Sequence, residues 1–168
     1  MLVDVGGGSG AYAIAFAQAN PALTAVVLDL PTVLPIAESH IGDADLAKRV
    51  TTRAGDLRRD DFGRDFDLVF LSSICHMLGP DGNRDLLARS ARALAPGGRV
   101  VIQDFILEPD RTRPRQAVLF AINMLVGTEA GGTYSEEEYA SWLTAAGLTG
   151  VRRIRLKGPA DLMVGIRR

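Results

Sequence analysis

The sequence predicts an α/β domain: a mostly parallel seven-stranded sheet with helices on both faces and an antiparallel hairpin at its C-terminal end. Three observations carry this. An apolar run, Leu2–Val5, enters the glycine-rich turn Gly6-Gly7-Gly8-Ser9-Gly10, and a helical pattern follows from Ala11 to Ala19. Further near-continuous apolar runs alternate with helical patterns, which is how strands of a parallel sheet buried on both faces read. Two last runs, Val151–Leu156 and Asp161–Ile166, are joined by so short a turn that they must be antiparallel neighbours.

In chain order, Leu2–Val5 is the first strand, and the β-branched run Thr24–Leu28, ending in Asp29, the second. Val50–Arg53 is a weaker third and Phe66–Leu71 a stronger fourth. The pattern Arg84–Leu94 places Leu86, Leu87, Ser90, Ala91 and Leu94 at helical spacing, and Pro96-Gly97-Gly98 stops that helix. Arg99–Ile106 is the fifth strand, and Ala117–Val126 an apolar helix. Ser135-Glu136-Glu137-Glu138 has the spacing of a capping box, opening a helix with Tyr139, Trp142, Leu143 and Ala146 that stops at Gly147. The two C-terminal strands complete seven.

With 168 residues the chain is expected to be one domain, 1–168, burying roughly two-thirds of its unfolded surface. Nineteen basic against twenty acidic side chains leave a formal charge of -1, which points to neither a nucleic acid nor a membrane surface as partner. A single cysteine, Cys75, excludes an internal disulfide and fits a reducing cytosol. The longest apolar stretch, Ala117–Val126, is interrupted by Asn123 and falls short of the roughly 20 residues of a membrane helix. No signal-peptide pattern is present. A soluble, cytoplasmic protein is expected.

The glycine loop is the first functional signal. A strand, a tight turn and a helix N-terminus bring backbone N–H groups close to a nucleotide-like ligand, and glycines permit positive φ without a Cβ in the way. Gly6-Gly7-Gly8-Ser9-Gly10-Ala11 also satisfies the dinucleotide fingerprint, and Asp29 stands at the distance of a ribose-binding acid. An NAD-dependent oxidoreductase therefore remains an alternative. Asp4, two residues before the first glycine, favours a ligand with an ammonium group, as in S-adenosylmethionine, and would repel a pyrophosphate. The antiparallel tail also departs from the all-parallel sheet of most dinucleotide dehydrogenases.

Several segments together carry a family resemblance. Leu2-Val3-Asp4-Val5-Gly6-Gly7-Gly8-Ser9-Gly10 resembles motif I of class I S-adenosylmethionine-dependent methyltransferases. Val27-Leu28-Asp29-Leu30-Pro31-Thr32-Val33 is similar to the Asp-Leu-Pro segment of the plant-type small-molecule O-methyltransferases and their bacterial relatives, and Gly55-Asp56-Leu57 to their turn after strand three. Phe66 to His76 resembles the strand that ends at the family's catalytic histidine. Leu94-Ala95-Pro96-Gly97-Gly98-Arg99-Val100 is similar to the entry to strand five, and Gly131-Gly132 with Ser135 to Tyr139 to a segment near the end. The matches run in order over nearly the whole chain.

The resemblance implies a Rossmann-like class I methyltransferase fold, S-adenosylmethionine as methyl donor with S-adenosylhomocysteine as product, no metal, and a small aromatic or polyketide-like hydroxyl acceptor. His76, just past strand four, takes the role of general base; the same residue would also serve to cap the following helix. Histidine suits the task because its ordinary pKa lies near neutrality. His40 reads as a surface residue. Of the family's two acids beside the histidine, the first aligns with Asp104; near the second, beside Gly131-Gly132, stand Thr133 and Tyr134, with Glu129 as substitute. For the cofactor, the resemblance assigns Asp4, the loop glycines Gly6, Gly8 and Gly10, Asp29 and Leu30 at the ribose, Asp56 and Leu57 at the adenine, and Ser72. Phe120, Asn123 and Met124 are assigned to the acceptor pocket, where the same helix could instead be core.

Two departures bear on the chemistry. The family's Asp-Trp after the histidine is Met77-Leu78 here, and a basic residue often found before it is Ser72. A repurposed or inactive methyltransferase-fold domain that binds cofactor without transferring methyl is therefore a further alternative. The family also carries a helical N-terminal region that builds a homodimer and closes the acceptor pocket. This chain starts directly at motif I, so it is expected to be a piece of a longer enzyme that binds cofactor and methylates poorly alone.

Overall fold

A computed structural model describes all 168 residues. The elements run β1 (Leu2–Val5), α1 (Ala11–Ala19), β2 (Ala25–Asp29), α2 (Leu34–Asp43), β3 (Val50–Ala54), β4 (Phe66–Ser72), α3 (Pro80–Ala93) and β5 (Leu94–Asp104). They continue with β6 (Ile106–Leu107), α4 (Arg115–Gly127), β7 (Tyr134–Ser135), α5 (Glu136–Ala145), β8 (Thr149–Ile154) and β9 (Asp161–Ile166). A single 3-10 turn, Cys75–Met77, follows β4.

Seven strands form one sheet in the order β3-β2-β1-β4-β5-β9-β8. The first five are parallel, and β9 alone runs against its neighbours, inserted between β5 and β8. This is the predicted sheet with its antiparallel hairpin. The order reverses between β1 and β4, so the carboxyl ends of these two strands flank the crevice where open α/β sheets bind ligands.

Alternation along β1 shows how the faces are filled. Val3 and Val5 join a large core with Leu71, Leu86, Ile102 and Trp142, under α3 and α5. Leu2 joins a smaller one with Ala13, Ala17, Val27 and Ile41, under α1 and α2. Burying a strand on both faces removes every side chain from water, which explains the continuous apolar runs.

Three features depart from the sequence reading. Helix α2 was not foreseen there, and Pro35 sits in its first turn, where a missing N–H costs nothing. Pro96-Gly97-Gly98 does not separate a helix from a strand but lies within β5: Phe66 pairs with Leu94 and Leu68 already with Arg99, so the segment is absorbed as a wide bulge. Gly97 takes φ +81 there. A short parallel ribbon, β6–β7, pairs Ile106 with Tyr134 and Leu107 with Ser135. The capping box at Ser135 forms as predicted, with Glu138 N–H donating to Ser135 Oγ (3.3 Å) and Ser135 N–H to the Glu138 carboxylate (2.8 Å).

Helix α4 differs from the others. Only Ala117 among its residues is buried, while Leu119, Ile122, Leu125 and Val126 are exposed. No helix is long and apolar enough to cross a membrane.

Candidate active site

The loop after β1 is shaped by its glycines and by Asp29. Gly6, Gly8 and Gly10 take φ of +69, +56 and +75, the left-handed region that favours glycine. Asp29, at the carboxyl end of β2, accepts from Gly8 N–H at Oδ2 (2.8 Å) and from Leu30 N–H at Oδ1 (2.7 Å). One carboxylate thus fixes the loop, and its remaining lone pairs stay available to a ligand hydroxyl.

Beside the loop lies a cavity of about 390 Å³. Gly6, Asp29, Leu30, Asp56 and Leu57 line it together, so five of the expected cofactor residues converge. A Cβ on Gly6 would fall 2.4 Å from Ile74 Cδ1 and 3.2 Å from Leu57, so the wall tolerates only glycine there. Asp56 is held in its turn by Arg58 N–H (2.9 Å to Oδ1). Leu28, Gly55, Arg58, Ile74, Met77 and Leu78 complete the lining. These six were not among the expected binding residues; their proximity in sequence to Asp29, Asp56 and His76 was the available signal.

Asp4 lies under the loop and not in the cavity lining. It is 1% exposed, and a Cβ on Gly7 would come within 2.8 Å of its carboxyl carbon. Even-numbered residues of β1 point toward α1, so Asp4 does not line the cavity. Its Oδ2 is buried without a partner. Burial pushes its carboxyl up to about 7; the Ala13 amide opposes this and the Asp29 charge adds to it. Ser72, half-buried at the end of β4, is also absent from the lining, while Gly8 and Gly10 contribute loop shape.

His76 and Asp104 meet at the carboxyl ends of β4 and β5. His76 Nδ1 lies 2.8 Å from Asp104 Oδ1, with both side chains buried. Asp104 is itself oriented by two backbone donors, His76 N–H to Oδ2 (3.2 Å) and Phe105 N–H to Oδ1 (2.8 Å). A carboxylate accepts only, so Nδ1 carries the proton in the neutral ring and Nε2 holds a free lone pair. The edge of the ring meets Phe120 at 4.8 Å, and Phe120 stacks on Phe105 at 4.3 Å.

The remaining expected residues are not gathered at this pair. Glu129 is exposed and lines a second cavity of about 540 Å³ with Arg58, Met77 and Thr128; no hydrogen bond or ion pair joins it to His76 or Asp104. It stands on the loop after α4. Asn123 is exposed and Met124 half-buried on α4. Thr133, in the segment expected to carry the second acid, is buried with its hydroxyl unpartnered. No group of three or more His, Cys, Asp or Glu side chains converges in a metal-binding arrangement. Burial raises the Cys75 thiol well above its ordinary range, so it stays protonated.

Residues 1–149 match the family model of an O-methyltransferase domain. The chain is 39% identical over 158 residues to a 3-hydroxy-5-methyl-1-naphthoate 3-O-methyltransferase of Streptomyces sahachiroi, covering 94% of this chain and 46% of that protein. Its fold superposes on an O-methyltransferase family 2 protein of Planctomyces limnophilus in complex with apigenin, with TM-score 0.93, 32% identity and coverage of 99% of this chain and 50% of that one. It likewise superposes on PigF with S-adenosylhomocysteine, a Serratia methyltransferase, with TM-score 0.90, 28% identity and coverage of 99% and 50%. The chain spans about half the length of the curated relatives it matches. These matches displace the dehydrogenase alternative, and with the observed strand order and the glycine-loop cavity they assign the chain: it belongs to the O-methyltransferase domain family, on the class I methyltransferase fold.

Proposed function

We propose that this chain is the catalytic domain, residues 1–168, of an S-adenosylmethionine-dependent O-methyltransferase acting on a small aromatic or polyketide-like hydroxyl acceptor. The single observation that carries the reading is the His76–Asp104 pair beside a glycine-loop cavity, both at the carboxyl ends of the central strands. The naphthoate substrate of the Streptomyces relative and the apigenin and S-adenosylhomocysteine bound to the two solved neighbours support the substrate and cofactor classes.

The cavity fits the cofactor on its own features. Gly6 leaves room that a Cβ would fill, Asp29 offers lone pairs to a ribose diol, and Asp56 offers an acceptor to an adenine amino group across from Leu57. The orphaned Asp4 Oδ2 lies directly below the loop. When bound, the sulfonium cofactor supplies a methyl group already activated for displacement.

The chain's own task is alignment and proton removal. Nε2 of His76 takes the proton of the acceptor hydroxyl, and the positive charge that develops on the ring is stabilised by Asp104 through Nδ1–H. Asp104, fixed by two backbone amides, needs no second carboxylate for this. Phe120 and Phe105 form an aromatic wall at the ring edge that suits a flat acceptor. In its whole form we place the protein in the cytoplasm as a homodimer, with the exposed face of α4 toward the parts of the molecule outside this chain.

Calorimetric titration with S-adenosylhomocysteine, with NAD in a parallel cell and circular dichroism to verify folding, tests the cofactor. Binding of the homocysteine product and not of NAD is expected. A folded chain that binds neither would reduce the reading to fold likeness. A chain that binds cofactor but, in its full-length form, leaves every phenolic acceptor unmethylated would be a repurposed domain.

A further inference from the structure

We infer that Asn83, which no part of the proposed chemistry uses, is a positioning residue that fixes the direction of the His76 ring by clamping the turn that carries it. The inference rests on the His76 base reading. It begins from how little the turn holds itself: Cys75–Met77 is one 3-10 turn, closed only by Met77 N–H to Ile74 O (3.0 Å) and Leu78 N–H to Cys75 O (3.2 Å). Such turns have poor hydrogen-bond geometry and leave carbonyls without partners at their C-terminal end.

Here those carbonyls are taken by groups from elsewhere. Asn83 Nδ2 donates to Cys75 O (2.9 Å) and to Leu78 O (3.2 Å), spanning His76 from both sides. The Gly132 N–H donates to His76 O (3.0 Å), and the Tyr134 hydroxyl adds a second donor to Leu78 O. Gly131 is packed so closely that a Cβ would lie 2.3 Å from His76 O. The clamp leaves His76 only its side-chain torsions, and Asp104 and Phe120 then restrict the ring.

Asn83 is an unlikely residue for its place unless it does this. It stands in the first turn of α3 with no exposed surface, among Leu86, Leu87 and Cys75 in the largest core, and its Oδ1 is buried without a partner. An apolar residue there would avoid the desolvation of an amide. Its backbone N–H remains in helical register with Gly79 O (3.0 Å), so the side chain alone reaches back to the turn.

The test reads the His76 ring and not activity. The chain has two histidines, so a His40→Gln background leaves one imidazole in a long-range proton–nitrogen correlation spectrum. At a pH where the ring is neutral, we expect a single Nδ1–H tautomer that is lost in Asp104→Ala. In Asn83→Leu the second tautomer should appear. Tyr134→Phe, which leaves both Asn83 bonds in place, should keep the single tautomer. Should Asn83→Leu not fold, Asn83→Asp, equal in volume but with acceptors facing the two carbonyls, is measured the same way. A folded variant at position 83 with the wild-type pattern overturns the inference, as does an equal change in Tyr134→Phe. Absence of the single tautomer in the wild-type chain overturns the base reading instead.

Discussion

On the β1–β2 side of the site every wall is held from behind: Asp29 ties down two loop amides, Gly6 is pressed between Ile74 and Leu57, and Asp4 lies buried beneath Gly7. On the α4 side, one residue, Ala117, is buried, while Leu125 and Val126 are 78% and 83% exposed. His76 stands between the two, with Asp104 from the sheet at one nitrogen and Phe120 from α4 at its edge. The glycine-loop side is thus braced by contacts within this chain, and the α4 side presents an apolar helix that nothing in the structure covers. In the proposed function, cofactor binding belongs to the first, acceptor choice to the second, and proton removal to His76 between them.

The largest effect should come from the residue between the halves. In a form of the protein that turns over, His76→Ala should lower the rate of methyl transfer about 10²–10⁴-fold, the usual share of a general base. Its affinity for S-adenosylhomocysteine, measured by calorimetry, should not change. Equal loss of both would mean that His76 belongs to the cofactor half and not to proton transfer.

Next in size is Asp4, whose effect is on stability. Its folded carboxyl, at about 7, lies above the ordinary 3.8, so the native state binds more protons than the unfolded one between these values. Stability is therefore lost as pH rises through that window, up to about 4 kcal/mol once it is passed, at about 1.4 kcal/mol per unit. Asp4→Asn removes the loss. Urea unfolding of the two proteins should show the variant gaining at pH 8 relative to pH 4; an equal difference at both would mean that Asp4 is ionised without strain.

Asp29→Ala should weaken S-adenosylhomocysteine binding about 10–100-fold, from the loss of charge-assisted hydrogen bonds. Part of this is indirect, because Gly8 N–H and Leu30 N–H lose their acceptor as well. Asp29→Asn retains one oxygen and should lose less. If the alanine variant bound the product at full affinity, the loop would be held by its glycines alone.

The cofactor half was legible in the sequence because it is local. A strand, a glycine turn and an acid at the end of the next strand lie within 29 residues, and their spacing follows from one βαβ unit. The pairing of His76 with Asp104 was legible through family resemblance, since the two are brought together by strand pairing across 28 residues. What could not be read depends on which way a side chain faces. Asp4 stands at its place in the motif, and only the structure shows that strand alternation turns it under the loop toward α1. Asn83 lies just before the predicted helix Arg84–Leu94 and carried no sequence signal; its contact with the turn follows from α3 starting earlier, at Pro80. Glu129 was near in sequence to Gly131-Gly132, and in the structure it is exposed on the loop after α4.

The smallest expected effect tests the other side of the comparison. Leu125→Gln with Val126→Thr, on the exposed face of α4, should change unfolding stability by no more than about 0.5 kcal/mol, as surface substitutions do. Leu143→Ala, with no exposed surface in α5, should cost about 2–5 kcal/mol. The contrast holds only if the α4 face is open to water in solution. A loss of 2 kcal/mol or more in the α4 variant would mean that this face is covered there. The dependence of that loss on protein concentration, read by sedimentation, would then identify the cover: a loss that fades on dilution is contact between copies, and a constant one is packing within the chain.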